Sequence, residues 1–301
     1  MQTFHGWQDR LPQAHIAYVN GRYLPHAQAG VHIEDRALQF ADGIYEVVGV
    51  IGGAILDEES HLDRLERSVS EIAMAMPMSR EGLKVVVREM VRRNRLRDGL
   101  IYMQVTRGAL RRDHAIPRKP PRPTLIITAR SIDPATNDRR RDEGVAVITR
   151  PDERWARCDI KSTALLPNIL AKSAARDAKA FEAWLIDRDG YVTEGSSTTA
   201  WIVDEAGNIV TRNLSNTILP GVTRREIIEA AREAQISVVE RKFTLTEAKS
   251  AREAFLSAAT LGATAIVSID GHKIGDGKPG PVTRRLQELY RHRAEKLAKA
   301  G

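Results

Sequence analysis

Two side chains frame the chemistry open to this chain. Lys161 stands in Arg157-Cys158-Asp159-Ile160-Lys161-Ser162, and Glu194 opens Glu194-Gly195-Ser196-Ser197-Thr198-Thr199. A lysine amine condenses with a carbonyl to form a Schiff base, and a carboxylate can hold a pyridine nitrogen in its protonated form. An amine and a carboxylate, each set among small residues on a strand-rich scaffold, are what a pyridoxal-phosphate site needs. Taken singly, each has a plainer reading: most lysines end a strand or start a helix with the ammonium in water.

Several further groups suit an anion. Pro220-Gly221-Val222-Thr223-Arg224 places a glycine at the entry to a helix. The first-turn N–H groups there are unpaired, and the helix dipole favours negative charge. Thr223 adds a hydroxyl donor. In His61-Leu62-Asp63-Arg64-Leu65, Arg64 falls at the edge of an apolar helical stripe, and its planar fork suits a phosphate. Arg112 and His114 alternate on an extended loop, so both side chains point to one side, an arrangement suited to a carboxylate. The plainer readings are an ordinary helix start, a surface ion pair and solvated loop charge. Tyr45 and Glu46 occupy opposite faces of one strand, and an inward tyrosine needs a hydrogen-bond partner.

Other chemistries lack their residues. No G-x-G-x-x-G follows a strand, and there is no P-loop or G-x-S-x-G. The eight histidines show no H-x-x-x-H or H-E-x-x-H spacing, so no metal site is expected. Cys158 is the only cysteine, which excludes an internal disulfide framework. No apolar run approaches the length of a membrane span. The N-terminal residues 1–12 lack an apolar leader segment, so the expected compartment is the cytoplasm. Lys and Arg number 46 against 39 Asp and Glu, a net charge of +7 that suits solubility and small anions. With 5% aromatic residues and the one dense basic cluster, Arg139-Arg140-Arg141, in a polar segment, a nucleic-acid partner is not expected.

The elements that must hold these residues follow from periodicity. Hairpins are expected at 16–25 around Asn20-Gly21 and at 43–56 around Gly52-Gly53. Helical stripes run over 57–76, ended by Pro77, and from Ser79 through Leu83, Val86, Val87, Met90 and Val91. Strands are expected at 100–108 and 124–129. Residues 131–144 are polar without apolar periodicity and read as a linker. Beyond it, strands at 145–149, 183–186, 199–203, 253–258 and 265–269 mix with helices at 170–181, 223–234 and 281–298. The expectation is an α+β fold in two domains: 1–130, a linker at 131–144, and 145–301 carrying Lys161.

In this order the motifs resemble the fold-type IV pyridoxal-phosphate enzymes. That family comprises D-amino-acid transaminases, branched-chain aminotransferases and aminodeoxychorismate lyases. The matching strings are Gln39–Val47, His61–Leu65, Gln104–Gly108, Arg157–Ser162, Val192–Ser197, Ile218–Arg224 and Ile269–Gly271. The resemblance implies a small α/β N-terminal domain, a larger mixed pseudo-barrel C-terminal domain, and a homodimer. It implies that Lys161 forms the Schiff base and shuttles the proton, and that Glu194 pairs with the pyridine nitrogen. Arg64, Val222, Thr223 and Thr260 would hold the phosphate, and Leu219 would pack against the ring. Tyr45, Arg112 and His114 would trap the substrate α-carboxylate, the last two reaching in from the neighbouring subunit. Arg-x-His at 112 and 114 points to D-amino acids, such as D-alanine, with 2-oxoglutarate or pyruvate as acceptor. The alternatives within the fold are a branched-chain L-amino-acid and an (R)-amine transaminase. Thr199, Trp201 and Ala259 depart from the family pattern of Asn, Phe or Tyr, and a hydroxyl residue.

Overall fold

The computed structural model describes residues 15–300 and divides the chain into two units. The expectation for residues 1–12 lies outside the described residues.

The first unit runs to Ile132 and takes back Ile160–Ala164. Its strands are β1 (Ile16–Val19), β2 (Arg22–Pro25), β3 (Gly43–Ile51), β4 (Ala54–Ile55), β5 (Gly99–Thr106) and β6 (Thr124–Ser131). Its helices are α1 (Arg36–Phe40), α2 (Glu58–Glu71) and α3 (Arg80–Arg93). The strands form one antiparallel sheet in the order β2-β1-β6-β5-β3-β4. The period-2 alternation of β3 buries Ile44, Glu46, Val48 and Val50 on one side. Leu62, Leu65 and Val69 of α2 and Leu83, Val87 and Met90 of α3 close the same core. Ser79 caps α3 through a 3.3 Å bond from the Gly82 N–H. The helix α2 stops at Glu71, short of Pro77. Ala73 turns left-handed at φ 50°, and Met74 N–H bonds back to Val69 O at 3.1 Å, closing the helix end.

The second unit holds Asp133–Asp159 and Leu165 onward. Its strands are β7 (Val145–Pro151), β8 (Glu182–Ile186), β9 (Val192–Gly195), β10 (Thr199–Val203), β11 (Ile209–Thr211), β12 (Val238–Glu240), β13 (Glu253–Ala258), β14 (Gly262–Ile269) and β15 (His272–Lys273). Its helices are α4 (Pro134–Glu143), α5 (Leu166–Asp177), α6 (Val222–Glu233), α7 (Leu245–Ser250) and α8 (Pro281–Ala300). The sheet order is β12-β11-β10-β13-β14-β7-β8-β9, with β15 on β14. It is mixed: β7 runs parallel to β14 and β8, and β11 parallel to β12. Although β9 and β10 stand apart in that order, a tight turn from Gly195 N–H to Thr198 O at 2.7 Å joins them, so the sheet curls. One core gathers Trp184, Phe243, Leu256 and Ile266, and another packs Trp201 and Phe255 with Ile227 and Leu286.

Two expectations need correction. Residues 131–144 are not a structureless linker: Asp133 caps α4 through the Ala135 N–H at 3.1 Å, and Pro134 starts it. The helix buries no residue, which is why it leaves no apolar period to read. Lys161 belongs to the first unit rather than to the C-terminal domain. Backbone bonds from Tyr45 N–H to Lys161 O (3.0 Å) and from Thr163 N–H to Gly43 O (2.9 Å) tie its segment to β3.

Candidate active site

In the first unit the strand period decides which side chain meets which. Tyr45 is half-buried on the face of β3 opposite Glu46 and stacks on Tyr102 with ring centroids 5.7 Å apart. Lys161 Nζ lies 4.3 Å from the Tyr45 ring centroid. The backbone bond between these two residues fixes the amine against the phenol ring, a cation–π arrangement. The Tyr102 hydroxyl donates to Gln104 Oε1 at 2.7 Å, and burial raises the Tyr102 pKa to about 12.

Glu46 is fully buried on the other face, toward α2. His61 and Arg64 are one helical turn apart, so both reach it. Arg64 donates from Nε to Oε1 at 2.7 Å and from Nη2 to Oε2 at 2.8 Å, a bidentate clasp, while His61 Nδ1 sits 2.8 Å from Oε2. Burial pushes the Glu46 carboxyl up, but the charge and hydrogen bonds of Arg64, with His61, outweigh it and bring it to about 2.

Arg112 and His114 are exposed, and both rest on Phe40: the Arg112 guanidinium lies 5.0 Å from its ring centroid, and the His114 ring 5.2 Å. Arg36 holds the intervening backbone, donating to Asp113 O at 2.5 Å. The two side chains thus share one side of the loop, as their alternation predicts.

In the second unit, Glu194 lies buried on β9. It accepts from Arg154 Nη1, and its Oε1 and Oε2 sit 3.1 and 3.3 Å from the Leu219 N–H. Leu219 therefore touches the carboxylate through its backbone. Burial raises the Glu194 pKa, and Arg154 and the Leu219 N–H only partly offset that. At the start of α6, Gly221 is the N-cap and no side chain caps the helix. A Cβ at Gly221 would lie 3.1 Å from both Thr199 Oγ1 and Arg224 Cβ. Val222 and Thr223 are buried in the first turn, where a helix presents N–H groups to an anion. Thr260 is half-buried in the β13–β14 turn, and its carbonyl accepts from Asn137 at 3.0 Å. Among the described residues, no group of three or more His, Cys, Asp or Glu could hold a metal ion.

A family model for class IV amino-transferases matches residues 43–269. The chain belongs to the class IV amino-transferases. A D-alanine aminotransferase of Listeria monocytogenes is 40% identical over 273 residues, covering 90% of this chain and 93% of the relative. One from Bacillus licheniformis is 38% identical over 268 residues, covering 89% and 93%. Among solved structures, the branched-chain aminotransferase of Thermoproteus uzoniensis with norvaline is similar at TM-score 0.84 and 26% identity, covering 94% of this chain and 95% of that one. The PLP form of the branched-chain aminotransferase of Thermobaculum terrenum is similar at TM-score 0.81 and 26% identity, covering 95% of each.

Trp201 and Thr199 both lie buried in the second unit. Trp201 stacks on Phe255 with centroids 5.3 Å apart, and its indole N–H donates to Ser257 Oγ at 2.9 Å. Thr199 stands beside Gly221. Two residues escaped the sequence reading. Glu182, fully buried, binds Ser196 Oγ and accepts from Ser197 Oγ at 2.7 Å, anchoring the turn after Glu194. Arg154 is the charged partner of Glu194. The only signal for it was the alternation Asp152-x-Arg154 at a strand end, a pattern too common to single out.

Proposed function

We propose that this class IV amino-transferase moves the amino group of a D-amino acid, such as D-alanine, to a 2-oxo acid, with 2-oxoglutarate or pyruvate as acceptor. The cofactor is pyridoxal 5'-phosphate. The observation that carries this reading is 40% identity to a D-alanine aminotransferase over nine-tenths of the chain. The residues present fit the cofactor's chemistry. The first unit offers a half-buried amine beside an aromatic ring; the second offers a buried carboxylate and a helix start without a side-chain cap.

Bound pyridoxal phosphate supplies the electron sink that makes the substrate Cα proton acidic. Lys161 holds the cofactor through Nζ and moves the proton at Cα. Glu194 keeps a positive charge on the pyridine nitrogen. Arg64, the first-turn N–H groups of Val222 and Thr223, and Thr260 hold the phosphate, and Leu219 packs on the ring. Tyr45, Arg112 and His114 hold the substrate α-carboxylate. Where the carboxylate is held sets which face of Cα meets Lys161, and so the substrate's hand.

A homodimer completes this reading. Leu166, Ile169 and Leu170 lie at i, i+3 and i+4 on α5 and are 67%, 56% and 59% exposed, a stripe that a second copy would cover. Light scattering on the eluting protein checks this, and a monomer at all concentrations refutes it. No helix among the described residues is long and apolar enough to cross a membrane, and we place the protein in the cytoplasm.

The test is an assay with D-alanine and 2-oxoglutarate, reading pyruvate. Turnover of L-leucine without D-alanine refutes the D-specific reading. Lys161→Ala should remove the visible absorbance of the bound cofactor and lower turnover by about 10⁴-fold. A second reading, a branched-chain L-amino-acid or (R)-amine transaminase, rests on the similarity to branched-chain enzymes at TM-scores of 0.81 and 0.84. A panel of both enantiomers and of primary amines decides between them.

A further inference from the structure

Around Glu194 the second unit builds a chain of alternating charge. Asp152 takes two bonds from the Arg154 guanidinium, Nε to Oδ1 at 2.9 Å and Nη2 to Oδ2 at 2.7 Å, and a third from the Arg154 backbone N–H at 3.2 Å. Arg154 Nη2 also donates to Thr217 O at 3.1 Å, and Nη1 donates to Glu194. Thr193 Oγ1, on the same strand as Glu194, donates to Asp152 Oδ2 at 2.7 Å. The guanidinium is therefore held in place by Asp152 and Thr217 before it meets Glu194. Side-chain exposures of 7% for Arg154, 11% for Asp152 and 8% for Glu194 leave little water to share the charge.

We propose that Arg154, clamped by Asp152, is the positioning residue that keeps buried Glu194 an anion, and so fits it to stand as counter-ion to a cationic ring nitrogen. This rests on the pyridoxal-phosphate reading above. The charge count supports it. Two carboxylates and one guanidinium leave the cluster one positive charge short, which a protonated pyridine nitrogen supplies. Cys158 adds nothing to that count, because burial pushes its thiol up to about 11. A carboxylate already bonded to Arg154 and to the Leu219 N–H is also a poorer base. Such a carboxylate would leave a proton on a bound pyridine nitrogen rather than take it.

The direction of the Glu194 pKa agrees. Burial raises it, Arg154 opposes that by charge and hydrogen bond, and Asp152 pushes it up again. Without Arg154, burial and Asp152 act together to protonate Glu194. A neutral carboxylic acid is a poorer partner for a cationic ring nitrogen. Asp152 has a divided part: it orients Arg154, and it dilutes Arg154's charge.

The test uses the full-length protein with Arg154→Met, Arg154→Lys and Asp152→Asn, each with and without Glu194→Gln. The first readout is the protonated-carboxyl stretch in infrared difference spectra. Arg154→Met should show this band at neutral pH, with its titration moved up by about one to three pH units relative to wild type. The band should vanish in the double variant with Glu194→Gln. The second readout is the pH dependence of the affinity for pyridoxal phosphate. In Arg154→Met the affinity should fall about tenfold or more at neutral pH and recover as pH rises and Glu194 ionises. Arg154→Lys keeps the charge and should stay within about threefold of wild type.

No Glu194 band in Arg154→Met, or an affinity loss equal in the Met and Lys variants and flat with pH, overturns the proposal and leaves Arg154 a packing residue. If wild type takes up no pyridoxal phosphate, the reading of the function fails instead. The infrared band still decides the role of Arg154.

Discussion

Glu46 and Glu194 are two buried carboxylates, each facing an arginine, yet they titrate in opposite directions. Glu46 is brought to about 2, while Glu194 is raised. The difference lies in the pairing. Arg64 gives Glu46 both Nε and Nη2, and His61 adds a third contact. Arg154 gives Glu194 only Nη1 and spends Nε and Nη2 on Asp152. A carboxylate clasped by two guanidinium nitrogens is a settled anion that ties β3 to α2. One that shares its arginine with a second carboxylate has its charge less fully offset. Burial alone does not separate a structural carboxylate from a chemical one; the division of its partner does.

The largest expected effect is on the settled side. Glu46→Gln takes away the buried carboxylate that Arg64 clasps and should cost about 3–5 kcal/mol of stability in urea unfolding at neutral pH. A loss below about 1 kcal/mol would place Glu46 beside an exposed ion pair.

The acid limb of stability should show the same pair. The Glu46 pKa is depressed when folded, so the unfolded chain takes the proton first. The contribution is present above about pH 4.5 and lost as pH falls toward 2. That difference corresponds to about 3 kcal/mol separating wild type from Glu46→Gln, and the gap should close over that window. For Glu194 the sign is reversed. Its raised pKa means its contribution is present below the unfolded value and lost as pH rises, so Glu194→Gln should gain stability relative to wild type from acid to neutral pH.

The smallest expected free-energy change lies on the chemical side. Glu194→Gln should change stability at neutral pH by no more than about 1 kcal/mol. Its turnover of D-alanine should fall about 10²-fold, roughly 2.7 kcal/mol of barrier. Stability loss matching that of Glu46→Gln, with turnover intact, would erase the contrast between the two carboxylates.

Much of this was legible in the residues. The apolar stripes of α2 and α3, the hairpin at Asn20-Gly21 and the strands carrying Tyr45 and Trp201 follow from periodicity and turn chemistry, because local sterics and burial act within a few residues. Alternation at 112 and 114 was enough to set Arg112 and His114 on one side. Where burial is absent, as in α4, the signal vanished, since only capping and propensity shape such a helix. Short strands such as β9 and β11 also escaped, because three or four residues bonded on a curled sheet carry no period of their own.

By itself, then, the sequence determined the longer periodic elements, the family and the residue types able to do the chemistry. Only the tertiary structure decided that Lys161 is tied to β3 rather than to its neighbours in the chain. It alone set Arg154 against Glu194, forty residues away, and divided that arginine with Asp152. The reason is physical: a side chain's partners at long separation depend on which backbones are hydrogen-bonded together, and no local pattern encodes that.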